Sequence, residues 1–302
     1  MRNAQGSTII ELLISSSVMS IITLAFMSIL LINYKTNAKV TNVSETANAL
    51  RTIKERLGKD VREGRSLGDV YGDPATDPSS GLTYNTGSAT FPSANDPVYG
   101  GNVPAGGPYT LSPTTLVVQI PITDLHNDAG GAHKINANNL GWPTQVNVGG
   151  SIKDNVETHV YQIVPDPQNA NEWLMQFSSF PGAAVMDNNP PAPQQAYSYD
   201  PAVHRIGPCT ILKGIVGPLD SNNNPHVFQY LNRTAPNAKP TDAPTGQFVA
   251  EYTGVVVNLE VRQHQESSKS RTDISLQPVG MKTEVFLRNN TLATSTGIPV
   301  QP

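Results

Sequence analysis

Residues 7–34 decide how this chain folds; they read STIIELLISSSVMSIITLAFMSILLINY. They follow a short polar leader, MRNAQG, and contain one charged side chain in 28 residues, that of Glu11. From Leu12 to Tyr34 there are 23 residues without a charge. Because about 20 helical residues cross the hydrocarbon core of a bilayer, the stretch predicts a transmembrane helix over residues 7–34.

The segment differs from a cleaved secretory signal peptide. Such a signal has an apolar region of about 7–15 residues and a small-x-small cleavage site after it. No such site follows Tyr34, where the sequence continues with Lys35 into further helical pattern. We therefore expect an anchor that stays attached to the chain. Its orientation stays open, because basic residues flank both ends of the segment.

Glu11 is the most informative residue of the segment. A carboxylate inside hydrocarbon is costly, so an intramembrane glutamate is a candidate functional residue. The alternative is that Glu11 lies near the helix end and reaches back to the polar interface. The small-residue junction Gly6-Ser7, five residues before the carboxylate, favours the functional interpretation.

The sequence Gly6-Ser7-Thr8-Ile9-Ile10-Glu11-Leu12-Leu13 resembles the processing site of type IV prepilins and of type II secretion pseudopilins. The resemblance implies that prepilin peptidase cuts after Gly6 on the cytoplasmic face. Ser7 would then be the N-methylated first residue, and Glu11 the glutamate at mature position five. Most members have Phe or Met where this chain has Ser7. Many also have Pro or Gly within the membrane helix, whereas this chain has neither from Ser7 to Leu57.

Cleavage would place a cationic amine at Ser7. In a filament of staggered helices, that amine can pair with Glu11 of a neighbouring subunit. The pair would set the axial register, because a wrong register leaves a buried charge without its partner. Gly6 and Ser7 are therefore the expected processing residues, and Glu11 is the expected assembly residue.

Residues 35–64 predict an amphipathic stalk helix that continues the membrane segment. Apolar residues recur there at helical spacing, with charged residues between them: Val40, Val43, Ala47, Leu50, Ile53, Leu57 and Val61. Gly58 costs about 1 kcal/mol in a helix without ending it, and Gly64 is the expected terminator. The whole helix would be about 85 Å long.

The end of this stalk also resembles one subgroup of the family. J-type minor pseudopilins and W-type minor pilins carry the pattern L-x-x-L-x-x-D-L-R after their membrane segment. The corresponding residues here are Leu50, Ile53, Leu57, Asp60, Val61 and Arg62.

Residues 65–302 predict a β-rich head domain. Alternating apolar residues indicate strands at 114–122, 156–164, 172–178, 209–216, 226–231, 253–263 and 279–287. The last two predict an antiparallel hairpin, and a short strand is expected near 82–84. Residues 66–113 otherwise read as irregular because they are dense in Gly, Pro, Ser, Asn and Asp. The expected fold class is α+β and pilin-like, with one long N-terminal helix on an antiparallel sheet.

Charge separates along the chain, whose net charge is −4. Residues 1–64 carry eight Lys/Arg and five Asp/Glu, a net charge of +3, and residues 65–302 carry −7. An acidic head is a poor electrostatic match for a phosphate backbone. We therefore expect no nucleic-acid partner.

The head offers no recognisable catalytic motif, so neither an enzyme nor a cofactor is expected. Its six histidines are scattered (126, 133, 159, 204, 226 and 264), which predicts surface or hydrogen-bonded side chains rather than metal ligands. Asp69, Asp73 and Asp77 are a weak calcium hypothesis. Asp220, Asn222 and Asn224 favour a polar turn. The single cysteine, Cys209, is expected to be a half-buried apolar residue.

The resemblance implies a minor pilin or pseudopilin subunit of a bacterial inner membrane, with its head in the periplasm or outside the cell. It would start filament assembly at the tip, with prepilin peptidase and other minor and major subunits as partners. One alternative is a pilus-tip adhesin that binds through residues 66–113 and 179–205. A second alternative is a subunit of a competence pseudopilus.

Overall fold

The structure is a computed structural model of the chain. It describes residues 9–72, 74–76, 83–85, 87–94, 96, 99, 106–121, 140–141, 145–148, 151–180, 182, 185–186, 206–232, 239–244, 252–262 and 278–288. The architecture is α+β and pilin-like, with one long N-terminal helix and a curled antiparallel sheet as its head.

Helix α1 runs without interruption over Ile9–Glu63, 55 residues, and passes through Gly58 as predicted. Its last residue, Glu63, directly precedes Gly64, the predicted terminator, and close packing explains why a glycine stands there. A Cβ atom at Gly64 would lie 2.6 Å from Val118 Cγ1 and 3.1 Å from Leu287 Cδ2. A side chain at this position would therefore push the helix end away from the head.

The strands follow the helix in chain order. They are β1 Ser66–Leu67, β2 Pro74–Thr76, β3 Thr83–Asn85, β4 Thr90–Phe91, β5 Tyr109–Thr110, β6 Thr115–Pro121, β7 Leu140–Gly141, β8 Gln145–Val148, β9 Ser151–Asp154, β10 Val156–Pro165, β11 Trp173–Phe180, β12 Val185–Met186, β13 Ile206–Gly217, β14 Phe228–Asn232, β15 Tyr252–Val261 and β16 Val279–Phe286.

Eight strands form the main sheet. Seven follow the order β1-β6-β10-β11-β13-β15-β14, and the eighth, β16, also pairs with β15. Strands β13 and β14 pair with different stretches of β15, whereas β16 pairs with β15 from Gly254 to Val261. Its pairs are antiparallel. The predicted hairpin is confirmed, because β15 and β16 pair over eight consecutive positions from Gly254↔Phe286 to Val261↔Val279. Side chains alternate between the two faces of the hairpin: Val255, Val257 and Leu259 are fully buried, whereas Lys282 and Glu284 are exposed.

The core lies between the last turns of α1 and one face of the sheet. Leu50, Ile53, Leu57 and Val61 from the helix join the same buried cluster as the inward residues of β6, β10 and β15. The predicted amphipathic face is therefore confirmed for these four residues. It is wrong for Val40, Val43 and Ala47, which are exposed. The head covers Asn42 and Thr46 instead, so Val43 and Ala47 lie on the uncovered side of the helix at that level.

Part of the segment predicted as irregular covers the opposite face of the sheet. Phe91, Tyr99 and Tyr109 surround Phe180, with ring centroids 5.4–6.0 Å from its ring. All four side chains are buried. Aromatic residues thus give β6 and its neighbours a second apolar layer, and the strand predicted near 82–84 is present as β3, paired with β2.

Candidate functional site

The first half of α1, Ile9–Thr41, is the arm: it stands clear of the head. None of its side chains is buried, and the first buried helix residue is Asn42. Large apolar side chains remain open along it, for example Ile9 at 81% exposure and Leu24 at 68%. An 18-residue window of α1 has a mean hydropathy of 2.1, and none of that window is buried. The helix is long and apolar enough to cross a membrane and is consistent with a single-pass anchor.

Glu11 lies in the first turn of α1, where a carboxylate interacts favourably with the positive end of the helix dipole. It is the one charged side chain of the arm before Lys35. The two predicted processing residues, Gly6 and Ser7, lie outside the described residues, so the expected pairing of Glu11 with a Ser7 amine stays a prediction.

Hydroxyl groups within the arm bond back to the helix itself. Ser15 donates to the carbonyl of Glu11, Ser20 to that of Ser16 and Thr23 to that of Met19, each at 2.8 Å. Ser17 and Ser28 do the same one turn back. These donors therefore need no water, which makes the polar residues of the arm compatible with hydrocarbon.

The other end of α1 carries a buried carboxylate, that of Asp60, which is 6% exposed. His159 Nδ1 lies 2.6 Å from Asp60 Oδ2, and the Tyr161 hydroxyl donates to the same oxygen. On its other side, His159 Nε2 lies 3.1 Å from Glu157 Oε1. Ser179 donates to that Glu157 oxygen. We call this set the helix–head junction: Asp60, Glu157, His159, Tyr161 and Ser179.

The junction holds His159 as a cation. Both ring nitrogens face carboxylate oxygens, and both must carry a proton to donate to them. Burial by itself lowers the pKa of His159, but the hydrogen bonds and charges of Asp60 and Glu157 outweigh it and raise the pKa to about 9. Burial and the charge of Asp60 raise the pKa of Tyr161, so its hydroxyl remains a donor.

Phe177 of β11 completes the junction. Arg56 of α1 places its guanidinium carbon 3.8 Å from the centroid of this ring, a cation–π contact. The rings of His159 and Tyr161 lie 5.1 Å and 5.2 Å from it. Two turns of α1 are thus docked on the sheet by polar contacts in addition to the apolar core.

The sequence predicted surface or hydrogen-bonded histidines; His159 is of the second kind, and its partner was missed. The available signal was the pattern of β10, where Glu157, His159 and Tyr161 alternate with Thr158 and Val160. Polar residues on a face that must pack on a helix need partners there. Asp60 was already notable as the acidic residue of the stalk pattern, but its distance of 99 residues from His159 hides the contact.

The weak metal hypotheses gain no support in the described residues. Asp69 accepts hydrogen bonds from the amides of Tyr71 and Ser93 and from the Gln119 side chain; Asp73 and Asp77 lie outside the described residues. Over the part of the chain that the structure describes, no three His, Cys, Asp or Glu side chains are grouped to hold a metal.

The polar turn predicted at 220–224 is confirmed. Asp220 Oδ1 accepts the amides of Asn222 and Asn224, each at 2.8 Å. Asn223 has a φ of 61°, which asparagine tolerates better than most residues. The prediction for Cys209 was wrong, since this residue is exposed. Its neighbours Pro208 and Thr210 are exposed as well, at the start of β13, where the pairing with β11 is irregular.

Comparisons of the chain with protein-family models, curated proteins and solved structures found no match. What the structure itself establishes is one long apolar N-terminal helix joined to an antiparallel sheet, an arrangement compatible with a pilin-like architecture.

Proposed function

We propose that this chain is a minor pilin or pseudopilin subunit. Prepilin peptidase removes residues 1–6, and the helix then carries the head from the bacterial inner membrane into a type II secretion pseudopilus or a type IV pilus. The subunit acts near the tip to start assembly. Its partners are the peptidase and the other minor and major subunits.

One observation carries the proposal: one end of the continuous helix packs against the head, and the other end is exposed. From Asn42 onward one side of the helix is buried against the head, for example at Leu50 and Leu57, whereas the preceding arm has no buried residue and exposes large apolar side chains. Water does not stabilise an arm of this kind. A bilayer before assembly, and neighbouring helices after it, both supply an apolar surrounding.

The exposed Val40 and Val43 extend this argument beyond the membrane segment. They are 62% and 41% exposed and continue the apolar surface of the arm toward the head. In a bundle of parallel subunit helices such residues pack against neighbours. This placement supports assembly through the helix, with the head on the outside.

The N-terminus tests the proposal directly. The full chain is expressed in bacterial cells with and without a prepilin peptidase, and the purified protein is analysed by intact mass and N-terminal sequencing. We expect loss of residues 1–6 and a new N-terminal Ser7 when the peptidase is present. A bulky substitution, Gly6→Leu, should block the cleavage, whereas Gly6→Ala is the milder control. Cleavage of Gly6→Leu at the normal rate, or an uncut wild-type chain, would contradict processing.

A further inference from the structure

Strand β16 has an open edge. It pairs with β15 on one side, and within the described residues no strand pairs with its other side. The strand is eight residues long, contains no proline, and its pairing with β15 has no register shift. Proteins usually shorten, kink or cover such an edge, because its free main-chain groups can pair with another strand.

The main-chain groups of alternate β16 residues point to this edge. The Leu287 amide donates to the Thr253 carbonyl of the β15 chain at 2.8 Å, so Leu287 and, by the two-residue period, Val285 turn toward β15. Glu284 and Phe286 therefore turn their amides and carbonyls away from β15. The next such amide, that of Arg288, donates to the Arg62 carbonyl of α1 at 3.1 Å. The outward amides of β16 therefore point toward the side on which the end of α1 lies.

A groove of about 580 Å³ lies along this edge, between β16 and α1. One wall is the strand from Thr283 to Leu287, and the other is the helix face with Lys54, Gly58 and Arg62. Gly58 is buried beneath the Arg62 side chain: Arg62 Nε donates to the Gly58 carbonyl at 2.7 Å, and a Cβ placed at Gly58 would lie 2.7 Å from the terminal guanidinium nitrogen of Arg62. The volume of the groove leaves room beside the edge of β16, where a further strand would lie.

The charges around the groove are mostly positive. Lys54, Arg62 and Arg288 line it against a single carboxylate, Glu284. All four side chains are exposed. In the described part of the chain, none of the three cations forms an ion pair. This sign is opposite to that of residues 65–302 as a whole, which carry a net charge of −7.

We propose that this groove binds an extended acidic segment of another polypeptide, which adds to β16 as a further strand. Main-chain hydrogen bonds to Glu284 and Phe286 supply the pairing, as in other cases of strand addition. Carboxylates at alternate positions of the bound segment face Lys54 and Arg62 on the helix wall. The site does not depend on the membrane arm or on its processing.

The test measures the binding of a labelled peptide to the full chain in detergent micelles by fluorescence anisotropy. The peptide matches the eight-residue length of β16, is capped at both ends, and alternates threonine with glutamate. A second peptide has lysine in place of glutamate. We expect saturable binding of the acidic peptide and none of the basic one. Equal binding of the two peptides, or no saturable binding of the acidic one, would overturn the proposal.

Two pairs of variants separate charge from pairing. Lys54→Glu should weaken binding roughly fivefold to tenfold, whereas Lys59→Glu, an exposed lysine of the same helix outside the groove, should leave it unchanged. Glu284→Pro removes an outward amide and should abolish binding, because proline cannot donate a main-chain hydrogen bond. The variant should still fold, because proline is tolerated on an edge strand. Glu284→Thr keeps the amide and should bind at least as well as the wild type.

Circular dichroism and thermal unfolding check that each variant is folded. A peptide N-methylated at alternate residues provides a measurement that does not depend on variants. Methylation of the amides that face β16 should abolish binding, and methylation of the other set should not. If both methylated peptides bind like the parent, or if Glu284→Pro binds normally, strand addition is refuted.

Discussion

The two halves of α1 belong to one uninterrupted helix but meet different surroundings. In the docked half, Leu57 and Val61 are fully buried against the sheet. In the arm, Leu24 and Ile22 are 68% and 57% exposed. The first half places no side chain in the buried core of the head, whereas the second half is part of that core. Similar apolar residues thus build the core of the head in one place and remain exposed in the other, where we propose that they serve association.

The two carboxylates near the ends of the helix repeat this contrast. Asp60 has its partners within the chain, in His159 and Tyr161. Glu11 lies on the exposed arm, and the partner proposed for it is the Ser7 amine of a neighbouring subunit. Asp60 should therefore matter for folding, and Glu11 for assembly.

The largest expected effect comes from shortening one leucine in each half. Leu57→Ala should lower the free energy of unfolding by about 4 kcal/mol, since it removes a fully buried side chain and leaves a cavity. Leu24→Ala, the matched control, should leave it unchanged. Urea unfolding of the full chain in detergent, followed by near-ultraviolet circular dichroism, measures both. Equal effects of the two substitutions would contradict the division of the helix.

Removal of the two carboxylates should have the next largest effect. Asp60→Ala leaves His159 Nδ1 and the Tyr161 hydroxyl without their acceptor, while His159 Nε2 keeps Glu157, and should cost about 3 kcal/mol. Glu11→Leu should keep both the stability of the head and membrane insertion, yet impair incorporation into a filament. The measurements are unfolding for stability, membrane fractionation for insertion and sheared-filament yield for incorporation. Normal filament incorporation of Glu11→Leu would refute its role in register.

The junction also predicts a dependence on pH. The folded-state pKa of His159, about 9, lies above its ordinary value near 6.5. The folded chain therefore binds more protons than the unfolded chain between these values. This contribution is complete below about pH 6.5 and is lost as pH rises through about 9; it is on the order of 3 kcal/mol.

Unfolding measured from pH 6 to pH 10 checks this dependence. His159→Gln should remove the loss of stability in that window. His226→Gln is a control, because His226 contacts the carboxylate of Asp242 far more in the open, where Asp242 is 58% exposed. An unchanged pH profile in His159→Gln would contradict the cationic state of the junction.

The smallest expected effect on stability is at the boundary of the two halves. Val43→Ser changes an exposed side chain and should alter the free energy of unfolding by less than about 0.5 kcal/mol. If the helix packs on neighbours as proposed, the same change should lower the yield of filaments. A large loss of head stability would instead place Val43 in an intramolecular contact.

Local pattern was enough to predict the helix, its end at Gly64, the β15–β16 hairpin and the turn at Asp220. These features depend on residues close in sequence, through the periods of 3.6 and 2 and through turn chemistry. Pattern failed for Val40, Val43 and Ala47. Their spacing is as helical as that of the buried residues after them, but at their level the head covers the polar residues Asn42 and Thr46, and only the tertiary packing decides which side of the helix is covered.

The sequence by itself determined that this chain has a long apolar helix with one carboxylate near its start and a β-rich head. Hydrophobicity and its period are properties of the residues in order, and they need no tertiary contact. Only the tertiary structure decided that Asp60 meets His159, that residues 66–111 include a second apolar layer, and that β16, which among the described strands pairs with β15 alone, lies beside a basic groove. These features bring together residues far apart in the chain, so the packing of the whole head decides them.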